Sequence, residues 1–144
     1  MAKCSDEIKQ LMANNEAVTW EDIESRVIQP SLEIDENTSL DEEAKIKVLV
    51  EKGLPEWSEG RAAYGLAKAC VNAYTLALSK QYPNLLLNAC SPGFIETDLT
   101  RPWAEKAGKK LEEIGALPVE KGTIAPVHLL MNDITSSGES MTCF

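Results

Sequence analysis

A short apolar run between two turn signals, placed directly after a long apolar helix, most constrains how this chain can fold. Residues 62–80 contain many alanines and leucines and no proline, with apolar side chains nearly all round, so they predict a helix buried on more than one side. The run 85–90 that follows predicts a strand buried on both faces, as in parallel sheets. It ends at Ser91-Pro92-Gly93. This order predicts an α/β fold, in which ligands bind at the carboxyl ends of strands.

The residues before the long helix also favour helices. Residues 5–15 have the spacing of an amphipathic helix, with Ser5 as its N-cap. Thr19-Trp20-Glu21-Asp22 has the form of a capping box that starts a second helix, which Pro30 ends or interrupts. The polar, acidic residues 31–39 predict an exposed loop.

The residues after the strand are less regular. Residues 98–117 are amphipathic without a clear period, and a last helix is predicted over 119–132. Pro126 must kink this helix or lie in its first turn, because proline lacks a backbone N–H. Residues 138–144 predict a final short strand.

The charge is strongly acidic and unevenly distributed. The 144 residues carry 14 basic and 23 acidic side chains, a net charge of -9. Residues 1–60 carry the whole net charge of -9, and residues 61–144 have no net charge. We therefore expect the first part to form a solvated helical layer and the second part to form the core. This balance disfavours binding to nucleic acid or to an anionic membrane, and no apolar run is long enough to cross one. The length suits one domain, and the start is no secretory signal, so we expect a cytoplasmic protein.

The cysteines predict neither a metal site nor a disulfide framework. Cys4, Cys70, Cys90 and Cys143 are far apart in the sequence, and His128 is the single histidine. No zinc ligand set can be assembled locally from these residues. Cys70 and Cys90 lie in apolar stretches, where we expect buried free thiols in a reducing compartment.

The first candidate for chemistry is Tyr64-Gly65-Leu66-Ala67-Lys68. A spacing of four residues places the phenol and the ammonium on one face of a helix. A nearby cation favours the phenolate and lowers the pKa of a tyrosine, so the pair could act as a general acid or base. The alternative is that this spacing arises by chance on a solvated helix face.

The second candidate is the segment that runs from Asn88 to Asp98. Its Pro92-Gly93 turn allows the backbone to approach a ligand closely, and Thr97 could donate to an amide or phosphate oxygen. The alternative is a structural turn followed by a helix that Thr97 or Asp98 caps.

The two candidates in this order resemble the short-chain dehydrogenase/reductase family. The words Ala63-Tyr64-Gly65-Leu66-Ala67-Lys68 and Leu87-Asn88-Ala89-Cys90-Ser91-Pro92-Gly93 are most similar to its NADPH-dependent carbonyl reductase branch. Residues 1–60 resemble the helical insertion of that branch, and residues 119–130 resemble the family's penultimate helix. The resemblance implies a partial Rossmann-type fold with few parallel strands. Residues 61–144 would then carry the catalytic helix, the strand and the substrate flap of the same single domain.

The resemblance also implies roles for individual residues. Tyr64 would donate a proton to the oxygen of a small aldehyde, ketone or quinone, while NADPH delivers a hydride to its carbon. Lys68 would bind the nicotinamide ribose and lower the pKa of Tyr64. The nicotinamide carboxamide would be lined by Pro92, Gly93, Phe94, Ile95 and Thr97. Residues 98–117 would form the substrate flap, with Trp103 as a wall or as a plain packing aromatic.

The sequence departs from the family where the phosphates should bind. None of its eight glycines are spaced G-x-G, and no serine matches the family's catalytic serine motif. The chain therefore resembles the carboxyl-terminal half of a carbonyl reductase and is expected to be inactive alone. The alternative is a non-catalytic remnant or interaction protein that binds no cofactor. The resemblance to this branch implies a monomer, but for the half-fold we expect marginal stability or association through its exposed apolar surface.

Overall fold

The chain is mostly helical and divides into two compact units. The computed structural model describes residues 4–12, 18–56, 60–138 and 140–142. The first unit is Met1–Tyr82 and the second is Pro83–Phe144. The long helix thus belongs to the same unit as the acidic residues before it, and the boundary near residue 60 stays a prediction.

The described part of the first unit is helical. The long helix confirms the prediction for residues 62–80, while residues 13–15 of the first predicted helix lie outside the described residues. Its helices are α1 (Asp6–Met12), α2 (Trp20–Ile23), α3 (Gln29–Asp35), α4 (Glu42–Glu51) and α5 (Gly60–Gln81), with a π-helical turn at Glu24–Ile28 between α2 and α3.

Two of these helices begin at the caps that the sequence predicted. The Ile8 N–H donates to Ser5 Oγ over 3.3 Å at the start of α1. At α2 the Asp22 N–H donates to Thr19 Oγ1 (3.2 Å) and the Thr19 N–H donates to the Asp22 carboxylate (3.0 Å), which completes the capping box. The bonds from the Thr19 hydroxyl and N–H hold the pKa of Asp22 below its usual range, because they favour the ionised carboxylate.

Pro30 interrupts the second helix without ending it. The Gln29 N–H bonds to the Glu24 carbonyl, five residues back, so the chain takes one wide turn before the proline. The helix then continues to Asp35, and the loop predicted over 31–39 was wrong for residues 31–35. The end of α3 is held by Lys45, whose Nζ donates to the Asp35 carbonyl over 2.9 Å.

The core of the first unit lies where α1 and α2 contact one face of α5. Leu66 and Ala73 are buried on that face, whereas Val71 and Tyr74 are exposed. The prediction that α5 is buried on more than one side was therefore wrong. The neighbouring helices cover one face of α5, and apolar side chains on its other faces stay exposed. The buried apolar residues of this core are Cys4, Ile8, Leu11, Met12, Val18, Ile23, Val27, Ile34, Leu49, Leu54, Leu66 and Ala73.

The second unit combines short helices with a small parallel sheet. Within the described residues the sheet has two strands, with Ala89 opposite Ser140 and Ser91 opposite Thr142. The predicted final strand is confirmed at 140–142, and residues 139, 143 and 144 lie outside the described residues. The elements are β1 (Ala89–Ser91), α6 (Arg101–Ala107), a 3-10 turn (Glu112–Ile114), α7 (Val119–Gly122), α8 (Ile124–Met131) and β2 (Ser140–Thr142).

The strand predicted over 85–90 is shorter and more exposed than its apolar sequence indicated. Leu85 and Leu86 are 54% and 59% exposed, and Cys90 is exposed as well. A loop holds the residues before β1: the Leu87 N–H donates to Ser137 Oγ (3.0 Å), and the Gly138 N–H donates to the Leu87 carbonyl (2.8 Å). The predictions of a strand buried on both faces and of a buried Cys90 were therefore wrong.

Pro126 lies in the first turn of α8, one of the two placements that the sequence allowed. The predicted helix over 119–132 is divided at Thr123 into α7 and α8. The Val127 N–H donates to the Thr123 carbonyl over 3.0 Å, so α8 closes its first turn around the proline.

Candidate active site

Tyr64 and Lys68 lie one turn apart on the exposed face of α5. The Lys68 Nζ lies over the Tyr64 ring, 5.5 Å from the ring centre. The Tyr64 side chain is 67% exposed, so a molecule from solvent can reach its hydroxyl. An ammonium over an aromatic face is electrostatically favourable, which keeps the two groups together. The helical spacing therefore produces the pair that the sequence predicted.

The turn after β1 orients an aromatic pair. Gly93 has a φ of 85°, a conformation that glycine adopts at no steric cost. The chain then turns so that the Phe94 ring stacks on Trp103, with ring centres 5.5 Å apart and ring planes 16° from parallel. Trp103 remains 56% exposed, so the pair presents a flat aromatic surface to solvent. Trp103 is thus held by a ring contact and also lies open to a ligand.

Phe94 and Ile95 are fixed through their backbone to Leu117. The Leu117 N–H donates to the Phe94 carbonyl (2.8 Å), and the Glu96 N–H donates to the Leu117 carbonyl (2.9 Å). The Ile95 side chain is buried, and it lies against Gly122 of α7. Ile95 therefore packs inward, and any contact between this residue and a ligand would involve its backbone.

Thr100 holds the end of this segment in place through hydrogen bonds of its side chain, a role that the sequence patterns did not predict. Its buried hydroxyl donates to the Ile95 carbonyl over 2.7 Å and accepts from the Thr97 N–H over 3.0 Å. The exposed Thr97 is therefore held by a side chain three residues later, in addition to the backbone N–H groups of Thr100 and Arg101 that donate to its carbonyl. Neither Thr97 nor Asp98 caps α6 through its side chain; the Asp98 carboxylate pairs with Arg101 at 2.6 Å. The Thr-x-x-Thr spacing is the one sequence signal that could have indicated this loop.

The structure brings the site residues together in two groups. Tyr64 and Lys68 belong to the first unit, and residues 92–97 belong to the second. That the two groups share one site stays a prediction.

Other reactive side chains of the described residues give little indication of a further site. Burial raises the pKa of the thiols of Cys4 and Cys70, which makes them weaker nucleophiles at neutral pH. The described residues contain no cluster of three side chains suited to hold a metal ion. Among the same residues, no helix is both long and apolar enough to cross a membrane.

Comparison with known proteins gives partial matches to several reductases and dehydrogenases. The chain is 32% identical over 88 residues to short-chain dehydrogenase/reductase 1 of Saponaria officinalis, covering 61% of this chain and 24% of that protein. It is 35% identical over 75 residues to (+)-neomenthol dehydrogenase of Arabidopsis thaliana, covering 52% and 22%. It is 31% identical over 96 residues to carbonyl reductase [NADPH] 3 of Rattus norvegicus, covering 62% and 29%.

These matches are consistent with one another but partial. The chain spans about a quarter of the length of the curated relatives that it matches. No protein-family model matches the chain. The relatives nevertheless share the chemistry of oxidation and reduction by name, and they agree with the family resemblance that the sequence indicated. Over part of its length, this chain is therefore similar in sequence to short-chain dehydrogenase/reductases.

Proposed function

We propose that this chain carries the proton-donating part of a reductase that acts with NADPH on an aldehyde, ketone or quinone. One observation carries the proposal: the Lys68 ammonium lies over the ring of an exposed Tyr64. The likeness to carbonyl reductase [NADPH] 3 supports the substrate class and the cofactor. Likeness to this family also supports a Rossmann-type arrangement, of which β1 and β2 would be two of the parallel strands.

The chemistry follows from the two side chains. NADPH, when bound, would supply the hydride that the carbonyl carbon accepts. The Tyr64 O–H gives its proton to the carbonyl oxygen, and an alcohol is released. Lys68 stays beside the Tyr64 ring throughout, with its Nζ 5.5 Å from the ring centre. Tyr64 regains a proton from solvent, to which it is exposed.

The residues present fit one end of the cofactor. An ammonium and a phenol hydroxyl on one helix face can donate to the hydroxyls of a ribose, which suits Tyr64 and Lys68. The turn at Pro92-Gly93 could offer backbone groups to the nicotinamide amide. The pyrophosphate finds no glycine-rich loop, because no two glycines in these 144 residues are spaced G-x-G. We therefore expect these residues alone to bind the nicotinamide end and to gain little from the rest of the cofactor.

The absent phosphate loop favours a second candidate, a non-catalytic interaction protein that keeps the helices of a reductase. Binding of ligand fragments separates the two candidates. Reduced nicotinamide mononucleotide contains the ribose and nicotinamide but lacks the adenosine half. If the proposal is right, it and NADPH bind the purified chain with similar affinity in calorimetric titrations.

Matched variants assign that binding to the site. Lys68→Ala should weaken both ligands about tenfold, as loss of a hydrogen bond from a charged donor does. Lys52→Ala, which removes the same charge at the end of α4, should leave both affinities unchanged. Tyr64→Phe keeps the ring under Lys68 and should abolish any reduction of 4-nitrobenzaldehyde. Absence of saturable binding by either ligand, or equal binding by Lys68→Ala, would reject the reductase proposal and leave the interaction protein.

A further inference from the structure

The outer face of α4 forms an open groove in the first unit. This α4 groove has a volume of about 610 Å³, and residues of α4, its N-cap Asp41 and the later residue Glu56 line it. Leu49 of the same helix is buried in the core of the first unit. Lys47, which lines the groove, lies about 160° from Leu49 around the helix. The groove therefore opens on the side of α4 that faces away from the core.

An apolar pair lies in this groove. Ile46 and Val50 are one turn apart on α4, and both line the groove. Val50 is 51% exposed, and Ile46 is partly exposed. Two branched apolar side chains at this spacing form a ridge against which another helix can pack. Removal of this pair from water would contribute favourably to the binding of a partner.

Carboxylates surround the apolar pair. Asp41 and Glu43 line the groove near the start of α4, and Glu51 and Glu56 line it near and beyond the end of the helix. Lys47 lies one turn from both Glu43 and Glu51, so it can pair with either of them. One ammonium does not neutralise four carboxylates, and residues 1–60 as a whole carry a net charge of -9. The groove therefore keeps a negative potential.

This combination of apolar and acidic groups selects the kind of partner. Nucleic acids and anionic membranes would be repelled by the carboxylates. In a symmetric pair of α4 grooves, a second copy of this chain would bring the same carboxylates together. A small cation could pair with the carboxylates but would leave Ile46 and Val50 in water. A basic helix with one apolar face satisfies both parts of the groove, because its apolar side chains cover the pair and its cations meet the rim.

We propose that the α4 groove binds an amphipathic helix of a partner protein. Apolar side chains of that helix, one turn apart, would pack on Ile46 and Val50. Lysine or arginine side chains beside them would pair with the carboxylates of the rim. The α4 groove shares no residue with the Tyr64–Lys68 pair. The inference therefore stands whether or not the chain reduces carbonyls.

The test uses a labelled peptide of about four helical turns, in which leucines recur at every third and fourth position among lysines and alanines. Fluorescence anisotropy with the full chain should show saturable binding of one peptide per chain. One control peptide has the same composition in a shuffled order without an apolar face. A second control peptide has glutamate in place of lysine. Both should bind about tenfold more weakly or not at all, because each removes one half of the match.

Matched variants of the chain test the location. Val50→Ala should weaken binding of the amphipathic peptide about fivefold, because it removes apolar surface from the interface. Val71→Ala is the control, since Val71 is a similarly exposed valine (55%) on α5. Glu43→Gln with Glu51→Gln should weaken binding about tenfold at low salt and less at high salt. Glu33→Gln with Glu36→Gln removes the same charge from exposed positions outside the groove and should have little effect.

Circular dichroism confirms that each variant is folded. The inference is wrong if the shuffled peptide binds as tightly as the amphipathic one, because charge alone would then explain binding. It is also wrong if Val50→Ala binds like Val71→Ala, or if the two pairs of glutamine substitutions behave alike. Analytical ultracentrifugation tests the other occupant. A dimer that Val50→Ala dissociates would assign the groove to a second copy and overturn the proposal.

Discussion

Gly122 lies so close to Ile95 that a Cβ on the glycine would come within 2.8 Å of Ile95 Cγ1 and 3.0 Å of Cδ1. Three atoms of one buried side chain meet this point, so the contact cannot be relieved by moving a single methyl group. The approach of α7 to the segment after β1 therefore depends on the absence of a side chain at residue 122.

Gly122→Ala is expected to destabilise the second unit by about 1–3 kcal/mol, the usual cost of overpacking a core. Hydrogen exchange of the Glu96 and Leu117 amides should accelerate, because their bonds join the segment that Ile95 anchors. Gly65→Ala is the comparison: no atom lies within 4 Å of its would-be Cβ. Gly65→Ala should raise the free energy of unfolding by about 0.5–1 kcal/mol, because alanine favours the helix more than glycine does. Equal effects of the two substitutions would contradict the role of the close contact.

Thr100→Val should loosen the segment that carries Thr97. The substitution keeps the shape but leaves the Ile95 carbonyl and the Thr97 N–H without the hydroxyl that bonds them. We expect a loss of about 1–3 kcal/mol, measured by chemical denaturation with hydrogen exchange at Thr97 as the local readout. Thr97→Val changes an exposed side chain and should stay within about 0.5 kcal/mol of wild type. If both variants unfold alike, Thr100 does not position this loop.

Asp22 should make the stability of the first unit depend on pH. Its pKa is lower in the folded chain than in the unfolded chain, because the Thr19 hydroxyl and N–H bond to the carboxylate. Its contribution is therefore complete above the unfolded pKa, about 3.9, and is lost as the pH falls through the lower folded value. Asp22→Asn should be less stable than wild type at neutral pH, and the difference should shrink in acid.

The control for this titration is Glu21→Gln, which removes one negative charge from the same turn and leaves the capping box intact. Thermal unfolding at a series of pH values measures all three proteins. If the difference in stability between the wild type and Asp22→Asn stays constant down to strongly acidic pH, the capping box does not depend on the ionised carboxylate.

Ser31→Ala should raise the stability of the first unit. The substitution removes a buried hydroxyl that lacks a partner among the described residues and replaces serine by a better helix former. We expect a gain of about 1 kcal/mol in denaturant unfolding. Ser79→Ala is the matched case, because Ser79 is also buried in a helix but its hydroxyl donates to the Leu76 carbonyl over 2.8 Å. Ser79→Ala should be as stable as the wild type or less stable. If it gains more stability than Ser31→Ala, the missing hydrogen bond of Ser31 is not the cause of the effect.

Local rules predicted the parts of this chain that depend on neighbours in sequence. The caps at Ser5 and Thr19, the long helix α5 and the contact between Tyr64 and Lys68 all follow from spacings of three or four residues. The prediction of a buried strand at 85–90 was wrong because an apolar run does not indicate how many strands or helices will cover it. Residues 31–35 were misjudged because a polar composition does not exclude helix.

The features that sequence could not reveal depend on residues far apart in the chain. The space that Val27 and Leu32 line together with Ala63 and Ala67 of α5 exists only where two helical segments pack. Gly122 lies next to Ile95 although 26 other residues separate them in the sequence. Such contacts have no periodic signal, because each is fixed by the packing of whole elements.

The π-helical turn at Glu24–Ile28 acts as a one-residue insertion within a helix that is otherwise continuous from Trp20 to Asp35. Everything after it is shifted in phase by about 100° relative to an uninterrupted helix. Ile23 and Ile34 lie on either side of this turn, and both are buried in the core of the first unit. The length of this single turn thus sets the register of the whole segment that follows it.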